Sequence, residues 1–306
     1  MNKLGYCCIN LTLREKDIFT SRTCRQNTFS LEKVNELALQ NVIDLYQILN
    51  WNISNNITFF RVGSEIFPFM DHETLGYSID DLKDGNKIKD YLALCGKYSI
   101  HNDIRLECHP GPYCLLGSPN PKVNENGIRC LTMHSLIGDL LNYETVVNGY
   151  QRMFNINFHV GGPYGNKKET AIRFKDNFNK LPLNIQKRIT IENDDKLSGW
   201  SVKDLWELIS QETKIPICFD AFHHTFNTGE MSQSEALTLC KYSWENSLAG
   251  KQKMSCHYSE AAIGKKPTAH ADFIENKISL DSDVMLDAKA KELALLKYLQ
   301  ICNGKN

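Results

Sequence analysis

The decapeptide "IPICFDAFHH" at 215–224 ends a run of apolar residues abruptly in an aspartate and two histidines. The pattern recurs along the chain. "PFMDH" supplies His72, "ECHPGPY" His109, "FHVGGPYG" His159 and "IEND" Glu192. Asp220 and His223 come from 215–224, His257 from "KMSCHY" with His270 on the segment after it, and Asp287 from "VMLDA". Imidazole and carboxylate groups without thiolate suit zinc, manganese or iron(II) and disfavour a soft-metal site. So many candidate ligands exceed what one ion needs, so two or three ions are expected. Adjacent divalent ions suit phosphodiester hydrolysis, because they activate water and stabilise charge on the attacking and leaving oxygens.

Not every polar residue belongs to this pattern. His101 and His134 fall outside it and are expected on the solvated surface, while His224 directly follows a candidate ligand and is expected to be structural. The segment "GGPYGNKK" at 161–168 reads either as a plain turn or as a place where backbone and Lys167 approach a phosphate. Tyr6 and Asn10 close the first apolar run, in "KLGYCCIN".

Positioning these residues requires the apolar runs to be strands. Segments rich in β-branched and aromatic residues occur at 3–10, 57–63, 104–109, 154–160, 188–193, 215–220, 252–258 and 282–288. Between most of them lie amphipathic stretches of helical length, at 34–50, 87–98, 135–143, 169–180, 201–212 and 234–245, with 290–301 closing the chain. Ser201 and Asp204 stand at capping-box spacing, and only the seventh strand lacks a strong helix after it. The alternation predicts a single (β/α)8 TIM barrel over 1–306, in which all the candidate ligands converge on the face where such barrels keep their active sites. A doubly wound sheet is the runner-up, but no glycine-rich phosphate loop follows the first strand.

Composition sets outer bounds. The chain has 306 residues, 42% of them apolar and 23% charged, which suits a globular protein with a substantial core. A net charge of -1 gives no global pull toward nucleic acid or a membrane, so phosphate recognition must come from a local patch or from metal ions. The eleven cysteines form no CxxC pair and sit mostly in apolar runs, which points to a reducing intracellular compartment rather than a disulfide scaffold. Neither a signal segment nor a membrane span is recognisable, and no obligate protein partner is evident, so a monomer is expected.

Taken in order, "LGYCCINLTL" (4–13), "FFRVGSEIFPF" (59–69), "HPGPY" (109–113), "FHVGGPYG", "TIEND", "FDAFHH", "HYSE", "AHAD" and "DVMLDAKAKE" resemble the UV damage endonucleases, barrels related to endonuclease IV. The resemblance covers nearly the whole chain. It implies cleavage of damaged double-stranded DNA immediately 5′ of a lesion, leaving a 3′-hydroxyl, with three divalent ions, most often manganese, zinc or magnesium being alternatives. By the same resemblance Glu192, Asp220, His257 and Asp287 hold one ion, and His109 and His159 a second with Glu192 bridging. His223 and His270 contribute to the third, and His72 contacts the scissile phosphate. Tyr113 is the implied wedge into the duplex, and Tyr6 the lining of a pocket for flipped bases, with Asn10 and Pro112 beside them.

Three departures stand out. Pro112 occupies a position where the family usually has glutamine, and Asp287 one where glutamate is usual. Ser255 replaces a lysine that is sometimes carboxylated; Lys253, two residues earlier on the same face, is the nearest substitute. The competing readings are a metal-dependent sugar isomerase or epimerase, which would use two ions and favour carboxylates, and a non-catalytic DNA-binding relative.

Overall fold

All eight expected strands form, each only four or five residues long. They are β1 (Leu4–Cys7), β2 (Phe59–Val62), β3 (Arg105–Cys108), β6 (Asn155–His159), β7 (Ile189–Glu192), β8 (Ile217–Asp220), β9 (Ser255–Tyr258) and β10 (Asp283–Leu286). The computed structural model describes residues 2–302 and 304. The strands close into a barrel in the order β1-β10-β9-β8-β7-β6-β3-β2, with every pairing parallel. This is a (β/α)8 barrel. No helix among the described residues is long and apolar enough to cross a membrane.

Strand alternation divides the residues into two populations. Tyr6, Phe60, Val62, Leu106, Ile156, Phe158, Ile191, Phe219, Val284 and Leu286 belong to the large core between the strands and the helices. Their neighbours in sequence face inward, where Cys7, Phe59 and Met285 form a small separate apolar cluster. Most other inward positions are polar: Arg61, Arg105, Glu107, Asn155, Asn157, Thr190, Glu192, Asp220, Ser255, His257 and Asp283 are all buried. The fold is held chiefly by the outer layer, which leaves the barrel interior open to polar chemistry.

The long helices are Leu31–Ser54, Gly85–His101, Pro121–Leu141, Lys167–Asn179, Gln233–Glu245 and Lys291–Cys302. The helix expected at 135–143 begins much earlier, at Pro121, with Asn120 as its cap. Its first half escapes a hydrophobic reading because Asn124 and Gly127 are buried there. A Cβ on Gly127 would sit 2.2 Å from the Leu115 carbonyl oxygen, so the glycine allows a backbone approach that no other residue permits. The helix expected at 201–212 starts with the Ser201–Asp204 capping box and contains a π segment, Trp206–Ser210. As expected, 259–282 after β9 carries no helix. A two-stranded hairpin, β4 (Thr145–Val147) and β5 (Tyr150–Arg152), was not expected; Asn148 and Gly149, both at positive φ, make its turn.

Two histidine expectations divide. His101 is exposed, but His134 is buried, with its Nδ1 2.8 Å from the Cys130 carbonyl one helical turn earlier. His224 is buried against Phe219, as a structural residue should be. All eleven cysteines are unpaired thiols.

Candidate metal centre

Because every barrel strand runs the same way, the residues that end them meet on one rim. His159 and Glu192 are register partners on β6 and β7, as are Asp220 and His257 on β8 and β9. Ligand atoms of His109, His159 and Glu192 lie within 4.8 Å of one another, as do those of Glu192, Asp220 and His223, and those of Asp220, His257 and Asp287. Glu192 belongs to two of these groups, as a bridging carboxylate would. A further group joins Glu192 and His257 with Cys218, a thiol that sequence spacing alone did not bring to the site.

The imidazoles are oriented from behind. His109 Nδ1 faces the Pro110 carbonyl at 2.9 Å, His223 Nδ1 the Asn193 carbonyl at 2.8 Å and His270 Nδ1 the Asp287 carbonyl at 2.8 Å. His159 Nδ1 lies 2.7 Å from Asp194 Oδ1. A carbonyl only accepts, so Nδ1 carries the proton where it faces one and Nε2 keeps its lone pair. That is the tautomer a metal-ligating histidine needs, held by outer partners. His257 is arranged the other way, with Nδ1 2.8 Å from Glu192 Oε2 and Nε2 2.7 Å from Arg61 Nη2.

The carboxylates are crowded and incompletely satisfied. Asp220 is fully buried, and its Oδ2 has no hydrogen-bond partner. Burial should raise the Glu192 carboxyl, but His257 and His159 hold it well below the usual carboxylate range. Burial raises Asp220, and His223 only partly opposes it. Burial also works against a charged His159, yet Glu192 and Asp194 lift it to about 9. An orphaned buried carboxylate oxygen among nitrogen and oxygen donors is what divalent cations would complete, so the residues present fit such ions.

Two inward residues beneath the rim had been missed. Glu107 lies two residues before His109 and accepts a hydrogen bond from Ser255 Oγ at 3.1 Å. It also lies 3.5 Å from both His257 Nε2 and Arg61 Nε. Arg61 in turn reaches Asp287 Oδ1 at 3.2 Å. A period-two reading of "RLECH" could have found Glu107. The space left by Ser255 is therefore faced by a carboxylate from the opposite side of the barrel. Lys253 does not reach it; its amine pairs with Asp283 at 2.6 Å, at the other end of the interior.

The remaining candidates separate by exposure. Pro112 is exposed, and Tyr113 is 86% exposed on the loop after β3. Pro112 lines a cleft with His109, His159 and His223, whereas Tyr113 lines an adjoining one with His72 and Arg129. His72 stands apart from the ligand groups, its Nδ1 accepting from the Thr74 and Leu75 amides at 3.2 Å each. His270 packs 6.1 Å from His223, ring to ring. Lys167 pairs with Asp204 at 2.7 Å.

Tyr6 and Asn10 require correction. Both are fully buried: Tyr6 points outward from the barrel and donates to Asn52 Oδ1 at 2.7 Å, while Asn10 donates to the Tyr6 hydroxyl and caps the turn at Leu11–Arg14. Strand alternation sends Cys7, not Tyr6, inward, and Cys7 Sγ lies 2.6 Å from Asp287 Oδ1.

A parallel eight-stranded barrel with histidines and carboxylates gathered on its C-terminal rim defines a class of metal-capable barrel proteins. The chain belongs within it to the UV-endonuclease UvdE family, whose profile matches residues 2–304. It is 34% identical over 313 residues to the UV-damage endonuclease of Schizosaccharomyces pombe; the match takes in 96% of this chain but spans only half the length of that relative. The crystal structure of SacUVDE superposes with a TM-score of 0.86 at 31% identity, covering 99% of both chains. An L-ribulose 3-epimerase superposes with a TM-score of 0.52 at 10% identity, over 94% of this chain and 82% of that one, a likeness of fold alone.

Proposed function

We propose that this chain is a metal-dependent DNA repair endonuclease that nicks the backbone immediately 5′ of ultraviolet photoproducts and leaves a 3′-hydroxyl. The observation that carries the reading is the set of three histidines, His109, His159 and His223, whose ligand atoms share groups with a bridging Glu192 while each Nδ1 faces an outer partner. Family membership supports damaged DNA as the substrate class.

In this reading Glu192, Asp220, His257 and Asp287 would hold one divalent ion, His109, His159 and Glu192 a second, and His223 and His270 would contribute to a third. Three ions, manganese foremost, would supply activated water and stabilise charge on the attacking and leaving oxygens. The protein's own contribution is orientation. Carbonyls of Pro110, Asn193 and Asp287 fix the imidazole tautomers, and Asn157 donates to Glu192 Oε2 from below. In the same reading His72, outside the ligand groups, contacts the scissile phosphate. Tyr113 and Pro112 fill the gap where bases leave the stack.

The test uses a duplex with one defined photoproduct, with manganese and with chelator. The expected product is a single cut 5′ of the lesion with a ligatable 3′-hydroxyl, formed only with metal. Cutting without regard to the lesion, or undiminished in chelator, contradicts the proposal.

A further inference from the structure

Three large apolar side chains among the described residues are exposed by more than three quarters: Tyr113 at 86%, Leu197 at 79% and Ile263 at 100%. All three sit on loops leaving the C-terminal ends of barrel strands, after β3, β7 and β9. Isolated apolar residues on a surface need no explanation, but concentration on the rim that holds the candidate metal centre does.

Ile263 has the most developed setting. Its loop folds back as a hairpin: Ala261 bridges His270, the Ala262 amide donates to Ala269 at 2.7 Å, and the Ala271 amide to Glu260 at 2.8 Å. The base is fastened to the barrel by His270 on the Asp287 carbonyl and by the Lys289 amide on Ala271 at 3.0 Å. The tip is Ile263-Gly264-Lys265-Lys266, exposed throughout, with Gly264 at φ +72 making the turn. A firm base with an apolar side chain and two ammonium groups at its tip is built for a polyanion with an apolar interior.

Barrel topology gives the tip its place. In the order β1-β10-β9-β8-β7-β6-β3-β2, β9 lies four strands from β3 in either direction. The strands that carry the Ile263 hairpin and the Tyr113 loop therefore lie on opposite sides of the barrel, whose rim holds the ligand cluster.

We infer that the hairpin after β9 is a second DNA-contacting prong. Ile263 packs against an opened base step across the site from Tyr113, and Lys265 and Lys266 pair with flanking phosphates. This rests on the proposed function, because it takes damaged duplex DNA as the occupant. A duplex that is bent over the rim meets both prongs, and the bend opens the step each one enters.

The test measures affinity by fluorescence anisotropy on a photodimer duplex with a non-cleavable linkage 5′ of the dimer, using the metal-loaded chain. Ile263→Ala should weaken binding by roughly tenfold, in the range expected on removing one apolar wedge or stacking partner. The Lys265→Ala, Lys266→Ala double variant should reduce the slope of log affinity against log salt by about 0.9 for each phosphate no longer neutralised. Metal content should match the unmodified chain in both, which separates a weakened DNA interface from a damaged fold. Unchanged affinity and salt slope in these variants would overturn the prong. Nicking of the cleavable duplex by the unmodified chain tests the parent reading separately: a chain that binds without nicking contradicts the nuclease but leaves the prong to be judged on affinity.

Discussion

The two ends of the barrel interior use similar residues to opposite ends. At the N-terminal end Asp283 is satisfied on both oxygens: Oδ1 by the Lys3 amide at 2.8 Å and Lys253 at 2.6 Å, Oδ2 by Arg105 at 3.0 Å. Arg105 also donates to the Lys253 carbonyl at 3.1 Å and stacks over Phe59 and Trp244. Asn155 continues the network to Gln252 at 3.0 Å, and Gln252 to Ser247 at 2.9 Å. At the C-terminal end lie four buried or partly buried carboxylates, Glu107, Glu192, Asp220 and Asp287, and the guanidinium of Arg61 pairs with Glu107 and Asp287. There Glu107 Oε1, Asp220 Oδ2 and Arg61 Nε all lack hydrogen-bond partners. A polar network that closes on itself stabilises the fold, whereas one left open is completed by something the chain does not contain.

The largest expected effect is at the open end. Glu192→Gln removes the charge shared by three ligand groups while keeping the side chain's volume, and nicking should fall well beyond the roughly 10–100-fold typical of a lost outer partner. Circular dichroism should show the fold retained, and full activity in the variant would break the contrast between the ends. At the closed end, Asp283→Asn leaves Arg105 buried without its carboxylate and should cost about 3–5 kcal/mol of stability by denaturant titration, with metal stoichiometry unchanged. Glu107→Gln loses the carboxylate facing His257 and Arg61 and should weaken manganese binding by about 10–100-fold, read by equilibrium dialysis. Tyr113→Ala should weaken binding to damaged duplex by about 1–3 kcal/mol and leave metal content alone. Smallest of all, Lys253→Ala removes a partly exposed ion pair; stability should change by about 1 kcal/mol or less, and nicking hardly at all.

If the open end takes up metal as proposed, its loading should carry a pH signature. His159 is lifted to about 9, so below that pH an incoming ion must displace its proton. Manganese affinity should therefore rise as pH increases from 6 toward 9, with proton release measurable calorimetrically; affinity independent of pH over that range would remove His159 from the ligand set.

Much of this was legible in the chain because the signals were local. A period of two, broken by helical stretches, identifies eight strands, and in a parallel barrel their C-terminal residues must share a rim. His109, His159, Glu192, Asp220, His257 and Asp287 follow from that rule alone. What was missed depended on facing and packing. Tyr6 follows Gly5 on β1 and so turns toward the helices, a parity that its neighbourhood in the motif concealed. Glu107 and Arg61 are charged residues within strands, and only the closed barrel shows that they meet. His134 looked solvated until the helix from Pro121 placed it against Cys130. The hairpin at 145–152 was missed although Asn148–Gly149 carries a turn signal.

The most direct test of the central claim, that the C-terminal end is a metal centre and the N-terminal end is not, is to count manganese per chain by elemental analysis after dialysis to equilibrium. The account predicts about three ions on the unmodified chain, fewer in Glu192→Gln, and no change in Asp283→Asn. A chain that binds none, or whose occupancy follows Asp283 rather than Glu192, would contradict it.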